Sequence, residues 1–186
     1  MTKNLSLILT AITIGGLYAG PVFADEQSGM AAQMNGAATE MHDEEFAFGE
    51  AGKASDVTQT IEIEMMDNTF NHRTLNVKPG ETVRLNVHNK GEVVHEFNIA
   101  MSSMHEEHQG QMMKMMESGV LDVDRINHEM MSSGEMMHND PNSVLLEPGK
   151  SAELIWRFEK ADNVEFACNV PGHYESGMKG PIIYQN

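Results

Sequence analysis

From Val57 onward, most of the chain alternates apolar and polar residues with a period of two. Ile61, Ile63 and Met65 alternate with Glu62 and Glu64, and Val83, Leu85 and Val87 repeat the pattern. His95, Phe97, Ile99 and Met101 fall on one face of a segment whose other face carries Glu96 and Asn98. Leu154, Trp156 and Phe158 alternate in turn, as do Val164, Phe166 and Cys168. Successive side chains of a strand point to opposite faces, so the pattern predicts half-buried β-strands. The phrases KPGETVRLNV and EPGKSAELIW each place a Pro-Gly turn before a strand. About seven short strands with turns between them predict one all-β domain, a Greek-key β-sandwich spanning residues 57–186.

The alternation stops between Ser102 and Asn142. That stretch reads SSMHEEHQGQMMKMMESGVLDVDRINHEMMSSGEMMHNDPN. An unstructured loop of this length is unusual in a compact domain. Its polar helix formers and paired methionines predict one or two short helices, a Met/His-rich insertion at 102–142 that carries function.

The N-terminus has one positive residue, Lys3, then an apolar run from Leu5 to Tyr18 and the small-x-small triplet Val22-Phe23-Ala24. These features predict a secretory signal peptide over 1–24, too short and weakly flanked for a membrane anchor. The mature chain then begins near Asp25, is soluble and does not insert into a membrane. Residues 25–56 are rich in Gly, Ala, Gln and Glu, and hold Met30, Met34, Met41 and His42. This composition predicts a flexible, acidic, Met-containing arm. The formal charge of −16 becomes −17 once Lys3 leaves with the leader. Such a balance argues against nucleic acid and anionic membranes as partners, and favours cations.

Export places the chain where thiols normally pair, yet it has one cysteine. An odd cysteine there is a reactive thiol, an intermolecular bridge or a metal ligand. It lies in CNVPGHYESGMKG, where Cys168, His173 and Met178 recur with four residues between each pair. His95 begins one strand and Cys168 ends another. By parity both side chains face the same interior, and Pro171-Gly172 turns His173 back toward the sulfur. Two histidines and a cysteine in one plane, with a weak axial methionine, make a blue-copper (type 1) site of His95, Cys168, His173 and Met178. Taken singly, a buried cysteine is a small hydrophobe and a buried histidine a core residue. The joint spacing favours the metal. Zinc would want more cysteines or histidines, and a cysteine–histidine nucleophile lacks an orienting partner.

The insertion adds soft ligands. Met104, His108, Met112 and Met115 or Met116 share a helical face, with His105 beside them. His128, Met130, Met131, Met136, Met137 and His138 follow. Thioethers favour Cu(I), and imidazole also accepts Cu(II). Adjacent methionine pairs point in different directions, so the insertion is expected to bind extra Cu(I) or Cu(II). The alternative is that its methionines pack one helical face against the sandwich.

The motif Cys168-x4-His173-x4-Met178, with His95 upstream at a strand start, resembles the cupredoxins, the small type 1 copper proteins. Its loop spacing is closer to rusticyanin and auracyanin than to plastocyanin. The resemblance covers roughly 57–186 and implies a cupredoxin-like sandwich. The residue after the first histidine ligand is usually Asn or another small hydrogen-bonding residue in the electron carriers; here it is Glu96. With the leader, the acidic arm and the Met/His-rich insertion, the chain resembles the periplasmic CopI-type copper-resistance cupredoxins. That resemblance implies periplasmic copper tolerance by binding, and redox-cycling, excess copper. The partners it implies are copper ions and a periplasmic redox partner or copper exporter. A plain electron carrier is the second reading. A multicopper oxidase or copper nitrite reductase is the third, and it lacks support because the chain has one sandwich and no His-x-His pair.

Overall fold

The computed structural model describes residues 46–133 and 140–186. The expected signal peptide and residues 25–45 of the arm, with Met30, Met34, Met41 and His42, lie outside the described residues.

The described residues form two five-stranded sheets. The strands are β1 (Gly49–Ala51), β2 (Val57–Met66), β3 (Thr69–Phe70), β4 (Leu75–Val77), β5 (Thr82–Asn89), β6 (His95–Met101), β7 (Ser143–Leu146), β8 (Ser151–Phe158), β9 (Val164–Ala167) and β10 (Lys179–Tyr184). One sheet has the order β1-β8-β5-β2-β3 and the other β4-β10-β9-β6-β7. The expected all-β sandwich is the fold observed. Strands β1, β3, β4 and β7 add to those read from the sequence. Each has four residues or fewer, too short to display a period.

The predicted inward residues fill the space between the sheets. Ile63, Met65, Val83, Leu85, Val87, Phe97, Ile99, Trp156, Phe158 and Phe166 are all wholly buried. Phe70, Phe97 and Phe166 pack ring against ring, with centroids 5.2–5.8 Å apart. β1 lies in what the composition marks as a flexible arm. It pairs with β8 because Phe48, a large apolar residue in a run of small and acidic ones, stacks on Trp156. Both Pro-Gly turns form as read. Glu81 N–H reaches Lys78 O and Lys150 N–H reaches Glu147 O, with Gly80 and Gly149 at φ near +78° and +73°. Pro followed by a positive-φ glycine is a type II turn, which a side chain at the glycine would strain.

The insertion contains two helices, α1 (Ser102–Glu117) and α2 (His128–Ser133). His105, Met112 and Met115 of α1 are buried, and His108 lies on the same face. This spacing of three and four residues is an inward helical stripe. Glu96 and Asn98 face away from the interior of the sandwich, yet both are buried, since β6 is in contact with α1 on one side of its sheet. Among the described residues no helix is long and apolar enough to cross a membrane.

Candidate metal centre

β6 and β9 run antiparallel with Asn98 opposite Ala167. This register brings the start of β6, where His95 sits, beside the end of β9, where Cys168 follows. The loop after Cys168 closes on itself. His173 N–H donates to Val170 O, Met178 N–H to His173 O, and Cys168 N–H to Met178 O. Gly172 and Gly177 take positive φ within it. The loop thereby returns His173 to the cysteine and holds the Met178 backbone against it.

His95, Cys168 and His173 offer ligand atoms that all lie within 4.8 Å of one another. Cys168 Sγ is 3.9 Å from His95 Nδ1 and 3.3 Å from His173 Nδ1. First-row metal bonds of about 2.0–2.3 Å leave ligand atoms of one trigonal plane roughly 3.6 Å apart. The spacing fits a single ion. Met178 is wholly buried in the same apolar cluster as Cys168. Among the described residues, no other group of three or more His, Cys, Asp or Glu converges in this way.

The surroundings orient each ligand. His95 Nε2 lies 3.2 Å from Asp67 Oδ1, and Glu92 N–H donates to the same oxygen. A proton held on Nε2 by the carboxylate leaves the Nδ1 lone pair facing the sulfur. Gly91 permits this approach: a Cβ there would lie 2.8 Å from His95 Nε2 and closer still to Asp67. Burial pushes the Cys168 thiol up to about 12, while the backbone N–H groups of Glu96 and Val170 favour its ionised form. The Glu96 N–H is 3.4 Å from Sγ. Burial lowers the pKa of His95 against the opposing pull of Asp67, and lowers that of His173, helped by His95 nearby. Both rings are therefore neutral, and able to coordinate, at neutral pH. A thiol with so high a pKa stays protonated until a cation replaces the proton.

The residues proposed as extra ligands are dispersed. His105 is wholly buried, with Nδ1 3.0 Å from Asn169 Oδ1. His108 donates from Nε2 to Glu96 Oε1 at 2.7 Å. Burial would depress the His108 pKa, yet the bond to Glu96 and its charge outweigh it and raise the value. Met112 and Met115 are in the core, and Met104 and Met131 pack against it. Met116 is half-buried, while Met113 and Met130 are exposed. His128 is exposed, 3.7 Å from the Glu147 carboxylate. Met136, Met137 and His138 lie outside the described residues. Asp67 and Asn169 are not among the site residues read from the sequence, whereas Glu96 is marked there as the departure after the first histidine ligand. Asp67 has no spacing signal; Glu96 does, as the residue that directly follows the first histidine ligand.

A cupredoxin-like domain family matches residues 44–117. The chain is similar to a copper-resistant cuproprotein CopI of Pseudomonas aeruginosa, at 47% identity over 150 residues, covering 75% of this chain and 83% of that one. It is also similar to a protein of the same name from Rubrivivax gelatinosus, at 31% identity over 182 residues and 97% and 98% coverage. Among solved structures, auracyanin B matches with a TM-score of 0.52 at 20% identity, over 75% of this chain and 97% of that one. A reduced auracyanin from Roseiflexus castenholzii matches with a TM-score of 0.51 at 17% identity, over 70% and 99%. These two likenesses are of fold.

Proposed function

We propose that this chain, which belongs to the CopI family of copper-resistant cuproproteins and has the cupredoxin fold, binds copper at a type 1 site and protects the periplasm from excess copper. The observation that carries the reading is the His95–Cys168–His173 triangle, whose ligand atoms converge to the spacing of a single ion and whose two imidazoles are neutral. His95, Cys168 and His173 would hold the copper, with the thioether of the buried Met178 as the fourth, weaker ligand. Bound there, copper supplies a one-electron couple between Cu(I) and Cu(II). The chain contributes the rest. Asp67 fixes the His95 tautomer, the Glu96 N–H supports the sulfur, and the aromatic cluster of Phe70, Phe97 and Phe166 keeps the interior beneath the site apolar. The leader pattern of residues 1–24 supports export to the periplasm. Soft ligands in the insertion and arm support further Cu(I) binding, Met113 and Met130 among them being exposed to solvent.

The test is the copper content of the mature protein. We expect one Cu(II) per chain with an intense visible thiolate-to-copper band, and more than one Cu(I) per chain under reducing conditions. A content of one copper in both states would favour the second reading, a plain electron carrier. A specific feature supports that alternative too: His173 is only half-buried, whereas His95 and Cys168 are enclosed, so its ring is the path of least insulation between the site and solvent.

A further inference from the structure

We propose that the Glu96 carboxylate and His108 are positioning residues that fasten helix α1 to the metal-ligand loop, so that the insertion is part of the copper centre's support. The proposal rests on the copper reading above for its consequence, and on the metal-free geometry for its substance.

Glu96 is wholly buried, as few carboxylates are. Four donors converge on it. Its Oε1 accepts from His108 Nε2 of α1 and from Ser143 Oγ at the start of β7, each at 2.7 Å. Its Oε2 accepts from the backbone N–H of Asn169 at 3.2 Å and from Asn169 Nδ2 at 2.9 Å. An ionised carboxylate offers about four lone-pair sites, and all four are used. This arrangement suits the charged form, because a protonated acid would meet a donor with a donor. The same residue donates its backbone N–H to Cys168 Sγ. Glu96 therefore grips the cysteine from both sides: its main chain holds the sulfur, and its side chain holds the next peptide group.

The helix completes the frame at two points. His108 closes the Oε1 side, and His105, one helical turn earlier, bonds Asn169 Oδ1. Asn169 is itself wholly buried. Both imidazoles thus reach the residue after the cysteine, one directly and one through Glu96. A helix that merely covered an apolar surface would need neither. Burying a charge without such partners is strongly unfavourable, so the cluster should persist as a unit or break as a unit.

The experiment uses the full mature chain. Amide hydrogen exchange in the metal-free protein is read first, because it does not depend on copper. Charge-assisted hydrogen bonds are worth about 1.5–3 kcal/mol, so E96Q and H108L should each speed Asn169 N–H exchange about tenfold or more, with the inner strands β5 and β8 unchanged. H108Q, which keeps a donor, should restore much of the protection. With copper bound, E96Q and H108L should shift the visible band and speed copper loss to a chelator by a similar factor, and H108Q should do so less. Exchange at Asn169 and a visible spectrum both unchanged in E96Q and H108L would overturn the proposal. So would faster exchange spread evenly over the whole sandwich, which is the mark of general destabilisation. If E96Q does not fold, H108L and H108Q decide by the same readings. A wild type that binds no copper would sink the proposed function, while the exchange result would still judge the clamp.

Discussion

His95 and Asp67 are joined through Nε2 and Oδ1 at 3.2 Å, from opposite ends of the sequence span between β2 and β6. The bond selects which nitrogen of His95 faces Cys168. Asp67→Ala frees the ring to rotate or change tautomer, and should weaken copper binding about 10–100-fold. Gly91→Ala should act in the same direction, because its Cβ would occupy space used by both partners. Competition against a chelator of known affinity measures the effect, and circular dichroism of the apo proteins checks that they fold. Wild-type affinity in both variants would remove Asp67 from the account of the site.

Cys168→Ser should abolish the visible band and leave the sandwich folded, since the core of Phe97, Phe166 and Trp156 does not depend on the sulfur. Met178→Leu should keep a visible band and raise the reduction potential, because a lost weak donor disfavours Cu(II). The volume change is small, and the cost to stability should stay below about 1.5 kcal/mol. A band that survives Cys168→Ser would refute the ligand assignment.

Copper uptake should release one proton per chain near neutral pH. Burial lowers the pKa values of His95 and His173, so both are already neutral there and have no proton to give. The Cys168 thiol, pushed up to about 12, is protonated and must lose its proton to bind. Apparent affinity should therefore rise about tenfold per pH unit between pH 7 and 9. Affinity that is flat over this range would mean that no thiolate forms.

The strands that carry His95 and Cys168 were legible because each displays several alternations, and the ligand loop was legible because its donors are close in sequence. The outer face of β6 was misread for a physical reason. Glu96, alternating with the inward-facing His95 and Phe97, has the pattern of a solvated position, and only the placement of α1 over that face buries it. Asp67 was invisible for another reason: its partner is 28 residues away, and no periodicity links a turn to a strand start. Phe46 and Phe48 show the limit of composition, since two aromatic rings in a polar stretch pack on Trp156 beside β1.

The methionines of α1 divide by burial, and the division separates packing from copper binding. Met112 is wholly buried and Met115 is 3% exposed, whereas Met113 is 45% exposed, as is 40% of Met130 in α2. Met112→Ala and Met115→Ala should each cost about 2–5 kcal/mol, as core truncations do. Met113→Ala and Met130→Ala should be within about 0.5 kcal/mol of wild type. Replacement by leucine keeps most of the apolar volume and removes the soft donor. A Met113→Leu, Met130→Leu double variant should therefore keep its melting temperature and its visible band, and hold less Cu(I) than wild type under reducing conditions. Its host should also tolerate copper less well. Undiminished Cu(I) content and undiminished tolerance would show that these two thioethers do not bind copper.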